Sequence, residues 1–145
     1  MTGDTLTTVR VERVLAAPPQ VVYDAWIDED TLAEFICPAG IAEVEVDARV
    51  GGPLRITMIF PDRRSVIEGE FLALDRPERI SFSWRAPSSS SDSVVTVTFA
   101  PHGAGATLMT IVHSQLPVDV SGRYDSGWAV VATQLVAAID GGAGF

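Results

Sequence analysis

Tyr124-Asp125-Ser126-Gly127-Trp128-Ala129-Val130-Val131-Ala132-Thr133-Gln134-Leu135-Val136-Ala137-Ala138-Ile139 carries one continuous apolar stripe. Its members, Tyr124, Trp128, Val131, Leu135 and Ile139, fall at steps of four, three, four and four, which places them on one face of an α-helix. The helix is expected over about residues 118–140, starting after Pro117 and ending at Gly141-Gly142 as at a glycine C-cap. Such a stripe needs a covering surface, because each large side chain it buries contributes roughly 1.5–3 kcal/mol.

The rest of the chain supplies that surface as strands. Thr7, Val9, Val11, Arg13 and Leu15 alternate with Thr8, Arg10, Glu12 and Val14, the period of a half-buried strand. Further strands are expected at 41–47, 53–60, 64–74, 79–84, 93–99 and 107–114, separated by turn-forming clusters such as Val50-Gly51-Gly52, Pro61-Asp62 and Asp75-Arg76-Pro77-Glu78. Short spacers favour hairpins, hence an antiparallel sheet. The run Pro87-Ser88-Ser89-Ser90-Ser91-Asp92 is expected to be a mobile hairpin loop.

Between the first two strands, Ala17-Pro18-Pro19 ends the strand, and proline suits the first turn of a helix. Val22, Tyr23, Trp26 and Ile27 then recur at helical spacing. Asp28-Glu29-Asp30 reads as a break, with Asp30 the N-cap of a second short helix through Leu32 and Phe35 that Pro38 and Gly40 stop. The expected architecture is α+β. A curved antiparallel sheet of about seven strands wraps a long C-terminal helix, with two short helices after the first strand. No internal repeat interrupts it, so residues 1–145 are expected to form a single domain with an ordered core of about 7–140.

Composition narrows the partners. Nineteen acidic against ten basic residues give a net charge of −9, which repels a phosphate backbone and argues against nucleic acid. No apolar run approaches the ~20 residues of a membrane-spanning helix. Met1-Thr2-Gly3-Asp4-Thr5 lacks the basic start and apolar stretch of a secretory signal, so a cytoplasmic location is expected. The one cysteine, Cys37, agrees with a reducing compartment and reads as a small buried hydrophobe.

A single helix about 30 Å long, at 1.5 Å rise per residue, does not fill the concave side of a seven-strand sheet. Gly51-Gly52 and Gly69 are where that sheet bends at least cost. A pocket between sheet and helix follows, with Phe35, Ile36, Met58, Phe60, Phe71, Phe82, Trp84, Tyr124 and Trp128 as apolar candidates and His113 and Arg55 as polar ones. Trp128 is first of all a core anchor on the inward stripe, beside Gly127, whose missing side chain permits close packing. His113 shares a face with Met109 and Ile111 and is ordinarily a hydrogen-bonded edge residue. Arg49 and Arg55 are expected to pair with Asp47 or Glu45 rather than to bind an anion. Glu68 and Glu70 are expected to face solvent.

Motifs for chemistry are sparse. There is no Gly-x-Ser-x-Gly elbow and no glycine-rich phosphate or dinucleotide loop opening a helix. Neither histidine has a spaced ligand cluster, so no metal is expected, and nothing calls for a cofactor. His113 and Tyr124 are the candidates for an acid or base.

Four segments carry a family resemblance: Val11-Glu12-Arg13 with Ala16-Ala17-Pro18-Pro19-Gln20-Val21-Val22-Tyr23-Asp24-Ala25-Trp26; Asp47-Ala48-Arg49-Val50-Gly51-Gly52-Pro53-Leu54-Arg55; Gly69-Glu70-Phe71 with Asp75-Arg76-Pro77-Glu78-Arg79-Ile80-Ser81-Phe82-Ser83-Trp84; and Gly127-Trp128 with Leu135. Together they resemble the START and birch-pollen-allergen superfamily, also called SRPBCC or polyketide cyclase-like. The closer likeness is to the branch named after the activator of heat-shock protein 90 ATPase homologues. The resemblance implies a helix-grip fold in a group that includes carriers, cyclases and chaperone-linked members. One departure is Phe35-Ile36-Cys37-Pro38, where the family usually has a tryptophan before the proline. Phe35 keeps the bulk and loses the indole N–H.

Three functions follow in order. The first is binding of an apolar or aromatic small molecule, lipid-, polyketide- or metabolite-like, by Phe35, Ile36, Met58, Phe60, Phe71, Phe82, Trp84, His113, Tyr124 and Trp128. The second is a cyclase- or dehydratase-type enzyme acting on such a ligand. The third is an interaction protein that stimulates a chaperone ATPase, a partner not favoured. A homodimer stays open.

Overall fold

The computed structural model describes residues 6–38, 41–87 and 92–143. Their order is β1 (Leu6–Leu15), α1 (Pro19–Ala25), α2 (Glu29–Phe35), β2 (Ala42–Val46), β3 (Pro53–Ile59), β4 (Arg64–Asp75), β5 (Arg79–Trp84), β6 (Ser93–Pro101), β7 (Thr107–Pro117) and α3 (Val118–Ala143). The seven strands form one antiparallel sheet in the order β1-β7-β6-β5-β4-β3-β2, and α3 lies along it, as the alternation and the stripe predict. The expected α+β helix-grip architecture is therefore the observed one. Residues 88–91 of the serine run, and Gly40, lie outside the described residues.

Curvature comes from β4. Its first half pairs with β3, Arg64 opposite Ile59 through Glu70 opposite Pro53, whereas Phe71 to Asp75 pair with β5. The two pairings overlap around Gly69, since Glu68 also exchanges backbone hydrogen bonds with Arg85, and at Gly69 itself an added Cβ would collide with the Ser83 carbonyl oxygen. The next N–H, that of Glu70, is satisfied by Ser83 Oγ at 2.9 Å instead of by the ladder. The β2–β3 turn closes onto the same point: Gly51, at φ +85, donates its N–H to the Phe71 carbonyl, and Phe71 donates to the Gly52 carbonyl.

The helices differ from expectation at their ends. Asp28, not Asp30, caps α2, its Oδ2 accepting from the Thr31 N–H at 3.0 Å and from Thr31 Oγ1 at 2.7 Å. These two bonds hold the Asp28 carboxyl below the usual carboxylate range. Glu29 and Asp30 instead occupy the first turn, where negative charge meets the positive end of the helix dipole. At the other terminus, α3 continues through Gly141 and Gly142 to Ala143. Glycine in a helix costs only about 1 kcal/mol and stops it only by adopting another conformation.

The core lies between the concave sheet face and the helices. From α3 it takes Trp128, Val131, Ala132 and Leu135, with Tyr124 and Ile139 half-buried at either end of the stripe. Gln134 Nε2 donates to the carbonyls of Phe35 at 2.9 Å and Cys37 at 2.8 Å, satisfying the end of α2 from α3. A bidentate pair, Arg76 Nε and Nη2 to the Asp24 carboxylate at 2.8 Å each, ties the β4–β5 turn to α1. On the outer face of β4, Glu68 and Glu70 are exposed together with Leu72, and in the β2–β3 turn Arg49 pairs with Asp47 at 2.9 Å. Among the described residues no helix is long and apolar enough to cross a membrane.

Candidate functional site

Between the bent sheet and the N-terminal half of α3 lies a cavity of about 890 Å³. Small-molecule sites run roughly from 300 to 1,000 Å³. Its inner wall is aromatic, with Trp84 from β5 and Tyr124 and Trp128 from successive turns of α3. Ile36 and Met58 line it further, and Phe60 stands just beyond β3. Towards solvent the wall turns polar at Arg63, Arg64 and Ser65 beside the β3–β4 turn and at Asp119 and Arg123 of α3.

Behind the aromatic wall runs a chain of hydrogen bonds. Trp128 Nε1 donates to His113 Nδ1 at 2.9 Å, and an indole N–H has no other role available to it. The neutral imidazole must then carry its proton on Nε2, which donates to Ser93 Oγ at 2.7 Å, and Ser93 Oγ donates to the Trp84 carbonyl at 3.2 Å. Trp84 Nε1 in turn donates to the Tyr124 hydroxyl at 3.2 Å. His113 has no solvent exposure, and burial pushes its pKa down to about 3, so the ring is neutral at physiological pH.

This geometry removes the simplest catalytic reading of the two groups. Ser93 lies against the cavity 2.7 Å from an imidazole, the arrangement of a nucleophile and its base. A base needs its lone pair toward the hydroxyl, however, and here that nitrogen carries the proton while the other lone pair is held by the indole. The pair is a structural link between β6, β7 and α3.

Six of the sequence candidates, Ile36, Met58, Phe60, Trp84, Tyr124 and Trp128, line the cavity together. Phe35, Phe71, Phe82 and His113 do not. Phe35 is wedged edge-on against Trp26 at 5.1 Å, and Phe71 against Phe82 at 6.2 Å, so these rings fill the core beneath the cavity. His113 is not an edge residue either, since β7 lies between β1 and β6. Arg55 is on the exposed face of β3, the alternate positions Leu54 and Ile56 being buried, and it faces away from the cavity. At Gly127 an added Cβ would meet Pro38 Cγ at 3.7 Å, an ordinary contact, so packing does not demand a glycine there.

Several lining residues escape the sequence reading. Arg63 and Arg64 stand at a turn in an acidic protein, and Arg123 lies on the polar flank of the stripe. Only the bend of the sheet brings them to one opening. Gln115 lines the cavity at φ 62, beside the irregular β1–β7 pairing opposite Thr7 to Val9. No alternation pattern announces a residue in that conformation. Among the described residues no group of three or more His, Cys, Asp or Glu side chains could hold a metal ion.

Comparison with known proteins agrees with this architecture. A protein from Chromobacterium violaceum is 34% identical, with 92% of this chain and 97% of that one covered at a TM-score of 0.81. An HSP90 activator from Plasmodium falciparum is 25% identical over 92% of this chain and 96% of its own, with a TM-score of 0.75. A Staphylococcus aureus protein, 20% identical over 96% of each chain with a TM-score of 0.82, shows the shared fold alone. No curated protein matches the chain in sequence. The family model described as Activator of Hsp90 ATPase homolog 1-like protein matches residues 16–140, from the end of β1 to the last turns of α3. The chain belongs to that family, a branch of the START and birch-pollen-allergen superfamily.

Proposed function

We propose that this protein binds an apolar or aromatic small molecule in the cavity beneath α3. The observation that carries the reading is the cavity itself: about 890 Å³ of space is left where Trp84, Tyr124 and Trp128 form a wall braced by hydrogen bonds behind it. A wall fixed in that way is preorganised, so a ligand does not have to pay for ordering it. The uncharged probe N-phenyl-1-naphthylamine tests the reading by its fluorescence in apolar surroundings. Wild-type protein should enhance and blue-shift the emission, and Val120→Trp, which puts an indole into the cavity from α3, should suppress the change. No enhancement, or enhancement indifferent to Val120→Trp, would defeat the proposal.

A second reading, a cyclase- or dehydratase-type enzyme, is favoured by one feature. The Tyr124 hydroxyl accepts from Trp84 and keeps its own proton for the cavity, with no acceptor for it among the described residues. If that proton is transferred in a reaction, Tyr124→Phe should bind ligand normally and lose about 10²–10⁴-fold in turnover. The Plasmodium relative favours a third reading, stimulation of a chaperone ATPase, which an ATPase assay with added protein tests directly. It ranks below ligand binding because a deep aromatic-walled cavity has no part in it.

A further inference from the structure

Ten arginines are the only basic residues other than histidine, since the chain has no lysine, and they sit among nineteen acids. Six of them, Arg10, Arg49, Arg63, Arg76, Arg79 and Arg85, have a carboxylate within ion-pair distance, and Arg13 donates to the Glu12 carbonyl. That leaves Arg55, Arg64 and Arg123 with no hydrogen-bonded or ion-paired partner among the described residues. Two of these three line the same cavity, Arg64 from the start of β4 and Arg123 from α3. Arg63 stands beside them, its guanidinium over the Phe60 ring at 4.3 Å and its contact with Asp62 a long 3.5 Å.

In a protein of net charge −9, cations gathered at the opening of an apolar space focus a local positive potential there, which draws an anion to it. Among the described residues the opening has one carboxylate in its lining, Asp119, in the first turn of α3. With Arg63 already beside Asp62, it offsets one of the two remaining positive charges. We infer, building on the ligand-binding reading above, that the natural ligand is an amphiphile: its apolar body fills the cavity, and a single anionic head group, of carboxylate type, rests between Arg64 and Arg123. Guanidinium suits that task, since its planar fork donates two parallel hydrogen bonds to one carboxylate. The order of the cavity, aromatic within and cationic at its opening, sets the direction in which such a ligand lies.

A matched pair of dyes separates this inference from the reading beneath it. 1-Anilinonaphthalene-8-sulfonate is N-phenyl-1-naphthylamine with one added sulfonate. Wild-type protein should bind the sulfonate about tenfold more tightly than the neutral dye, the advantage of charge-assisted bonds partly screened by solvent. Arg64→Gln and Arg123→Gln, both at exposed positions, should each reduce that preference about threefold, and the double variant should abolish it, the preference being the ratio of the two dyes' affinities in the same variant. Asp119→Asn should raise it. Decanoate should displace the bound sulfonate dye better than decan-1-ol, and inorganic phosphate should not displace it. Equal binding of the two dyes, or a preference that survives the double variant, would overturn the inference while leaving the cavity proposal standing. Displacement by phosphate alone would overturn it too, by showing an anion site independent of the cavity. Failure of both dyes to bind would overturn both.

Discussion

The indole N–H of Trp128 is bonded to Nδ1 of His113 at 2.9 Å, a buried polar contact at the centre of the apolar grip between α3 and the sheet. It does two things that a purely hydrocarbon contact would not. It selects one rotation of each ring, and it selects which nitrogen of the imidazole carries the proton. Tyr124 and Trp84 then pack edge-on to that imidazole, at centroid distances of 4.8 and 5.5 Å.

Trp128→Phe should therefore cost more than loss of area. Burying Nδ1 without a donor adds about 1–3 kcal/mol to the price of the smaller ring. Trp26→Phe makes the same change of volume 6.2 Å away by ring centroids, but the Trp26 N–H is buried with no partner among the described residues. Removing it relieves a penalty, so this variant should lose less than about 1 kcal/mol. Urea unfolding of the two proteins compares them directly, and equal losses would contradict the assignment.

The His113 environment also predicts an acid limb. The ordinary value is 6.5 and the native value about 3. Above pH 6.5 the ring is neutral in both states and contributes no slope. As pH falls from 6.5 toward 3, the unfolded chain takes up a proton that the native protein refuses, so stability drops by up to about 1.4 kcal/mol per pH unit. The lowered Asp24 carboxyl, paired with Arg76, adds a loss only further down, around and below its ordinary 3.8. Proton NMR should show the His113 ring resonances flat from pH 7.5 to 4.5 while urea midpoints decline. A ring titrating near 6.5 in the folded protein would refute the buried neutral assignment.

Two glycines should respond in opposite senses to alanine. Gly69→Ala drives a methyl into the Ser83 carbonyl where β4 and β5 approach most closely, and should destabilise by roughly 3 kcal/mol. Gly122→Ala on the exposed side of α3 meets nothing within 4 Å and should stabilise by about 0.5–1 kcal/mol through helix propensity. Thermal denaturation reads both.

Gln115, at φ 62, holds a backbone conformation that costs an L-residue roughly 1–2 kcal/mol. Gln115→Gly removes the strain but gains freedom in the unfolded chain, so its melting temperature should match or slightly exceed wild type. Gln115→Val, β-branched where φ is positive, should fall below both. The reverse order would mean that the bulge opposite Thr7 to Val9 relaxes when substituted.

Much of the fold was legible because its signals are periodic. The α3 stripe and the strand alternations hold over many residues, and element boundaries fell within a few positions of those observed. Local ends were harder. Asp28 and Asp30 are equivalent by composition, and only the reach of one carboxylate to Thr31 distinguishes the cap. Phe71 and Phe82, expected to line the pocket, are buried in the core instead, because alternation cannot say how deep along a face the core ends and the cavity begins. That depth depends on the irregularity of β4 at Gly69, where the next N–H leaves the ladder for Ser83 Oγ. For the same reason Arg64 and Arg123, fifty-nine positions apart in sequence, gave no sign that they line one opening.

The place of β4 between β5 and β3 also divides labour. On one side, β5, β6 and β7 carry the hydrogen-bonded aromatic wall against α3; on the other, the β3–β4 hairpin contributes Met58, Phe60, Arg63 and Arg64 and joins the larger sheet through β4 alone. Substitutions and length changes in that hairpin can therefore reshape the opening without disturbing the bonds that hold α3 in place. On the proposed function, ligand preference and folding stability would then be separately adjustable in this chain, the one through the hairpin and the other through the Trp128–His113 link.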